Sequence, residues 1–207
     1  MMGYYARFVI VEGQDMINSS YNSRQKLLTA KNTRGTIYSA DLEKLAETIT
    51  LENGKEYRNY PYENLFAHTV GFSTKGKTGI EAQANSYLIN SNISLSAKID
   101  NEIAGRKNPG DNVYTSLRTD LQQIASKSLG AFKGAVIVSN VKTGEILAMV
   151  SKPDFNPCTI VEDWDSYLGD KNSSVLLNRA TQGIYPPGST FKIVTSLAYL
   201  RQNDGNY

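Results

Sequence analysis

The run GAVIVSNVKTGEILAMVS, residues 134–151, carries apolar stretches on either side of a polar, turn-forming centre. It predicts a hairpin with a strand over Ala135–Val138, a turn through Lys142–Gly144 and a returning strand over Ile146–Val150. Upstream, VYTSLRTDLQQIASKSLG reads as a strand and then a helix, with Leu121, Ile124, Ala125 and Leu129 on one face and Gly130 as the stop. PDFNP breaks the pattern after the hairpin, and a polar connector containing Trp164 leads through VLLNRATQG to Pro186 and Pro187. From Phe191 to Leu200, the residues Ile193, Val194, Leu197, Ala198 and Leu200 recur at helical spacing. Helix, hairpin and helix in this order predict an antiparallel sheet with helices packed on it.

The first half is less regular. YYARFVIV (4–11) and RGTIYS (34–39) alternate like short strands, whereas SADLEKLAETI (39–49) reads as a helix. Two polar stretches, GFSTKGKTG and AGRKNPGDN, punctuate the chain with turn formers, and the second is the better domain boundary.

Composition narrows the class. With 207 residues and 40% hydrophobic content the chain can bury a core as one large domain or two small ones. A net charge of +2 without a basic block gives no support to a nucleic-acid partner. No apolar run reaches the roughly 20 residues of a membrane span, and the start lacks the apolar region of a signal peptide. The single cysteine, Cys158, forms no intrachain disulfide and reads as a small buried residue.

The candidate chemistry lies at the start of the last helix. The pattern Ser-x-x-Lys occurs at Ser23–Lys26, Ser139–Lys142 and Ser189–Lys192, but only the third is followed by an apolar helical run. Residues three apart on a helix share a side, with Cβ atoms about 5–6 Å apart. The Lys192 amine can therefore reach the Ser189 hydroxyl, and Thr195, Ser196 and Tyr199 continue a polar stripe. A serine hydroxyl becomes a useful nucleophile when a neighbouring base takes its proton. Lysine does so only when uncharged, and burial and the positive end of the helix dipole both disfavour the ammonium. First-turn N–H groups could also stabilise an oxyanion beside Ser189. The bland alternative is an N-cap serine followed by a surface lysine.

YPPGSTFK (185–192), preceded by GAVIVSNVKTGEILAMVSKPDFNP, resembles the start of the transpeptidase domain of penicillin-binding proteins. Arg24 in NSRQ, RGTI at 34–37, Tyr60-Pro61, AHTVG at 67–71 and GIEAQANSYL from Gly79 resemble the non-catalytic pedestal of the class B, monofunctional members. The resemblance implies an α+β fold: an elongated mixed pedestal over 1–109, then a truncated transpeptidase domain over 110–207. It departs at YSADLEKLA, where the family has a tight turn closed by glycine, and here a helical segment is expected instead. The family's later S-x-N and K-T-G motifs have no match after Lys192. Ser20-Tyr21-Asn22, Lys77-Thr78-Gly79 and Lys142-Thr143-Gly144 spell them too early in the chain.

For function, the resemblance implies a peptidoglycan D,D-transpeptidase with Ser189 as nucleophile and Lys192 as general base, and with substrate-binding residues unassigned. It implies stem peptides and β-lactams as ligands, a membrane glycan polymerase as partner, and neither metal nor organic cofactor; the sole histidine, His68, is expected to be structural. The location implied is the outer face of the cytoplasmic membrane, anchored by an N-terminal helix not present in this chain. Without the later motifs the chain itself is expected to be inactive, since one lost oxyanion donor alone costs about 2.7–4 kcal/mol. Missing strands would also bare a sheet edge and one face of the last helix. The alternatives are a docking scaffold for the polymerase, with the catalytic stub incidental, or a β-lactam-hydrolysing or β-lactam-sensing relative.

Overall fold

A computed structural model describes residues 3–4, 7, 23–169 and 174–203. Apart from Tyr4 and Arg7, the expected strand at 4–11 lies outside the described residues. Helix α1 (Ser23–Lys31) leads into β1 (Asn32–Thr33) and β2 (Ile37–Tyr38), followed by the longer β3 (Lys44–Thr50) and β4 (Glu56–Asn59). A 3-10 turn (Glu63–Phe66) then runs into four short helices: α2 (Ala67–Val70), α3 (Gly79–Gln83), α4 (Asn85–Ile89) and α5 (Leu95–Ile103).

β5 (Asn108–Pro109) pairs parallel with β1, and β6 (Val113–Tyr114) pairs parallel with β2. The punctuating stretch 104–112 is thus held to β1 through β5 in a two-stranded sheet, and β6, just after it, joins a separate sheet of order β4-β3-β2-β6. On this frame Ile37, Leu45, Ala46, Tyr60, Phe66, Val70, Leu88 and Leu117 close a core. Each large side chain fully buried there contributes about 1.5–3 kcal/mol relative to exposure.

The segment expected as a helix, 39–49, is instead a tight turn followed by strand β3. Ser39 N–H donates to the Glu43 carbonyl and Leu42 N–H to the Ser39 carbonyl. Leu42 takes φ +62°, the left-handed conformation that glycine adopts freely. The turn is therefore made without glycine, at a cost in backbone strain. Tyr38 pairs with Lys44 and Ile37 with Ala46, leaving Leu45 as the extra residue of a bulge. That explains why consecutive residues Leu45 and Ala46 are both buried. Their spacing looks helical because a bulged strand breaks the period of two.

The second half follows the expected order. Helix α6 (Thr119–Leu129) packs on the antiparallel hairpin of β7 (Gly134–Ser139) and β8 (Ile146–Lys152). Ala125, Ala148 and Val150 form the contact, flanked by Leu121, Leu129, Val136 and Val138. Gly130 stops α6 at φ +57°. One expected core residue differs: Ile124 is exposed, and Gln122 is buried instead. The Gln122 amide donates to the Leu65 and Met149 carbonyls, both at 2.8 Å, and accepts from Met149 N–H at 2.9 Å. It ties the turn before α2 to β8. A mixed cluster of Ala67, Phe72, Phe155 and Ile160 joins the halves further. Cys158, expected to be buried, is exposed in the connector containing α7 (Trp164–Gly169).

Candidate active site

The path to Ser189 begins on β8. The Ser151 hydroxyl accepts from Arg179 N–H at 2.9 Å, and Asn178 Nδ2 donates to the His68 carbonyl at 3.2 Å. These bonds fix the connector against both β8 and α2. Beyond Gly183 the chain runs without regular structure through Ile184, 98% exposed, to the proline pair.

Pro187 sits at φ −69° and Gly188 at φ +55°. The second value lies in the left-handed region, where a Cβ would be strained. Gly188 thereby turns the chain into a 3-10 turn, Gly188–Phe191, that continues as α8 (Lys192–Gln202). Ser189 lies in that turn, Lys192 is the first residue of α8, and the Lys192 N–H donates back to the Ser189 and Thr190 carbonyls. The Thr190 hydroxyl closes the turn by donating to the Pro187 carbonyl.

Both candidate side chains are exposed, and neither makes a hydrogen bond with a described residue. The solvent exclusion that an uncharged lysine needs is therefore not supplied by the described residues. The apolar row of α8 is equally bare, with Ile193 at 67%, Val194 at 53% and Leu197 at 58% exposure. What the turn does supply is a hydroxyl at the positive end of a helix with a lysine one turn on.

The other candidate motifs lie apart from this turn. Ser23 and Lys26 are on α1, Ser139 ends β7, and Lys142 is in the hairpin turn with Gly144 at φ +78°. Thr78 and Gly79 open α3, where Gly71 and Thr78 approach too closely for a side chain at Gly71. His68 is 8% exposed, its Nε2 lies 3.0 Å from the Pro153 carbonyl, and burial holds its pKa below the usual value. Its ring meets Phe155 edge-on. This is a packing and bridging role. Among the described residues no group of histidine, cysteine or acidic side chains is arranged to hold a metal ion, and no helix is long and apolar enough to cross a membrane.

Pattern reading missed the most buried charged cluster. Glu81, fully buried, accepts from Arg34 Nε at 2.6 Å and from Arg58 Nε at 2.7 Å, and Arg34 also reaches Asn85 Oδ1. It lies in the first half and holds the β1–β2 connection, β4 and α3 together, a structural role.

Comparison with known proteins places both halves. Residues 34–113 match the penicillin-binding protein A dimerisation domain, and residues 134–206 match the penicillin-binding protein transpeptidase domain. Peptidoglycan D,D-transpeptidase MrdA of Acinetobacter baumannii is 35% identical over 175 residues, covering 69% of this chain and 26% of that protein. Peptidoglycan D,D-transpeptidase PbpA of Mycolicibacterium smegmatis is 33% identical over 197 residues, covering 87% of this chain and 40% of that protein. The chain thus spans well under half the length of these relatives. Among solved structures, penicillin-binding protein A of M. tuberculosis in an imipenem acyl-enzyme complex superposes with a TM-score of 0.72 at 31% identity, covering 83% of this chain and 43% of that one. The D,D-transpeptidase domain of a peptidoglycan glycosyltransferase from Eggerthella lenta gives 0.70 at 34% identity, covering 84% of this chain and 38% of that one. The mixed α+β architecture, the hairpin with its packed helix and these matches agree: the chain belongs to the class B penicillin-binding proteins, carrying their dimerisation-type segment and the leading part of their transpeptidase segment.

Proposed function

We propose that this chain is part of a peptidoglycan D,D-transpeptidase, with 1–109 as pedestal and 110–207 as the leading portion of the catalytic domain. One observation carries the reading: Ser189 stands where a glycine-hinged turn enters a helix, and Lys192 follows one turn later, in a chain of this family. In the proposed reaction Ser189 Oγ attacks the penultimate carbonyl of a D-Ala-D-Ala stem peptide while Lys192 Nζ takes the hydroxyl proton. Collapse of the tetrahedral intermediate breaks the peptide bond, the proton passes to the departing D-alanine amine, and an acyl-enzyme remains. The amine of a second stem peptide then attacks the ester and restores the serine. A β-lactam would acylate the same oxygen, its ring opening in place of peptide cleavage.

Exposure of the Ser189–Lys192 pair supports a further point: covering strands are needed to dry the lysine and complete the oxyanion site, so the chain alone is inactive. The relatives' transpeptidase names favour this reading over a docking scaffold or a β-lactam-hydrolysing relative. A glycan polymerase partner and a position at the outer face of the cytoplasmic membrane belong to the same proposal.

The test is acylation by a fluorescent penicillin of a protein containing this chain together with downstream S-x-N and K-T-G motifs. Labelling that maps to Ser189 by peptide mass spectrometry and vanishes in Ser189→Ala is the expected result. Labelling that persists in Ser189→Ala would overturn the assignment.

A further inference from the structure

A groove of about 520 Å³ separates the end of α1 from α5, with Asn32 of β1 and Asn108 of β5 on its lining. That volume lies in the range of roughly 300–1,000 Å³ typical of small-molecule sites. Ser91 also lines it, is 3% exposed, and its Oγ is enclosed with no hydrogen-bond partner among the described residues. Buried hydroxyls are normally paired, because losing water without a replacement is unfavourable. The neighbouring amides are paired: Asn32 Nδ2 donates to the Ile89 carbonyl at 2.9 Å, and Asn108 Nδ2 to Asn32 Oδ1 at 3.2 Å. The unmet hydroxyl is therefore particular to Ser91, at the wall of the groove.

Charge gives the sign of what the groove would hold. Lys31, Lys98, Arg106 and Lys107 line it from α1, from α5 and from the segment after α5, and Glu102 is the one acid on the lining among the described residues. Lys107 is met from outside by Glu56 at 2.8 Å. Lys31, Lys98 and Arg106 make no ion pair with a described residue, and Lys98 does not reach even Glu102, four positions on in the same helix. Four cations against Glu56 and Glu102 leave an excess of two positive charges. Leu28, Leu95 and Ile99 add an apolar flank.

We propose that this groove binds a phosphate-bearing ligand with an apolar body. A phosphate group carries up to two negative charges and three acceptor oxygens, enough to engage cations from three segments at once. The fork of Arg106 suits it, with Lys31 and Lys98 as point charges beside it. Ser91 Oγ donates to the ligand directly or through one water, and the body lies along Leu95 and Ile99. The head group of an anionic phospholipid and a soluble organic phosphate share this chemistry. Nothing in the site depends on Ser189 or on the transpeptidase reading.

The test titrates the full chain with inorganic pyrophosphate in a calorimeter at constant ionic strength, and sediments it with phosphatidylglycerol vesicles against phosphatidylcholine vesicles. Lys98→Gln with Arg106→Gln should weaken binding about tenfold or more, whereas Lys75→Gln with Lys142→Gln, an equal loss of charge elsewhere on the surface, should leave it unchanged. Ser91→Ala keeps every charge and should still weaken binding about three- to tenfold. It should not lower the urea midpoint, because it removes a hydroxyl that has no partner in the fold. Pyrophosphate binding without vesicle binding assigns a soluble ligand; vesicle binding with the same losses assigns a lipid head group, and either upholds the site. Equal losses in the two double variants, or none in Ser91→Ala, would mean surface electrostatics alone and overturn it. So would failure of both probes to bind at millimolar concentration.

Discussion

Arg58 Nε donates to the Glu81 carboxylate at 2.7 Å, with the arginine side chain 6% exposed and the glutamate fully buried. Arg34 takes the other carboxylate oxygen, so one anion holds two guanidinium groups in a desolvated site. Arg58 also donates to the Gly35 carbonyl, and Arg34 to the Glu81 carbonyl. Removing the anion leaves two like charges buried side by side. Breaking a buried pair by removing one partner costs about 3–5 kcal/mol. Glu81→Gln should lower the unfolding free energy by that amount in a urea titration. A loss no larger than that of a surface substitution would mean that water reaches the cluster and solvates the arginines.

Leu42 at φ +62° offers the opposite change. A non-glycine residue in the left-handed conformation costs roughly 1–2 kcal/mol, and the Leu42 side chain, 68% exposed, recovers little by packing. Glycine relieves the strain and returns part of the gain through the entropy of the unfolded chain, a term of about 0.4–1 kcal/mol. Leu42→Gly should therefore stabilise the protein by about 0.5–1 kcal/mol. The check is a higher urea midpoint at unchanged slope; a lower midpoint would show that Leu42 packs in solution.

What could be read in advance depended on how local each cause was. The β7–β8 hairpin was legible because apolar runs and turn chemistry both lie within residues 134–151. β3 was misread because Leu42, Leu45, Ala46 and Ile49 fall at helical spacing, and only pairing with β2 creates the bulge that buries Leu45 and Ala46 together. Gln122 and Ile124 were exchanged for a related reason. The carbonyls that Gln122 satisfies belong to Leu65 and Met149, far away in the chain, and nothing near residue 122 announces them. Ser189 and Lys192 stood out because Pro187, Gly188 and the apolar run that frame them are contiguous. Their bare surroundings were legible only in part, because coverage of a helix is a tertiary property.

His68 predicts a pH dependence whose sign follows from burial. Desolvation lowers its folded pKa, outweighing the Pro153 carbonyl and Asp154, which favour the charged ring. The unfolded chain, with a value near 6.5, therefore binds the proton more readily. Stability is complete above 6.5 and is lost as pH falls from there through the lower folded value. His68→Gln, which keeps a donor for the Pro153 carbonyl, should remove that step while leaving the carboxylate losses at more acid pH. Urea unfolding of both proteins on either side of pH 6.5 tests it. Parallel pH profiles would place the ring in contact with solvent.

The apolar row of α8 gives a prediction in which stability and solubility separate. Val194 and Leu197 are 53% and 58% exposed, so they bury little surface that contributes to folding. Exposed positions of this kind tolerate substitution within about 0.5 kcal/mol. Contiguous exposed apolar surface nevertheless drives association and binds apolar dyes. Val194→Gln with Leu197→Gln should reduce both the fluorescence of a bound naphthalenesulfonate dye and the light scattered by concentrated protein. The urea midpoint should stay where it is, because glutamine is also a better helix former than valine. If the midpoint fell by an amount typical of a core truncation, about 2–5 kcal/mol, the row would be packed against the chain in solution and the open helix start around Ser189 would be lost with it.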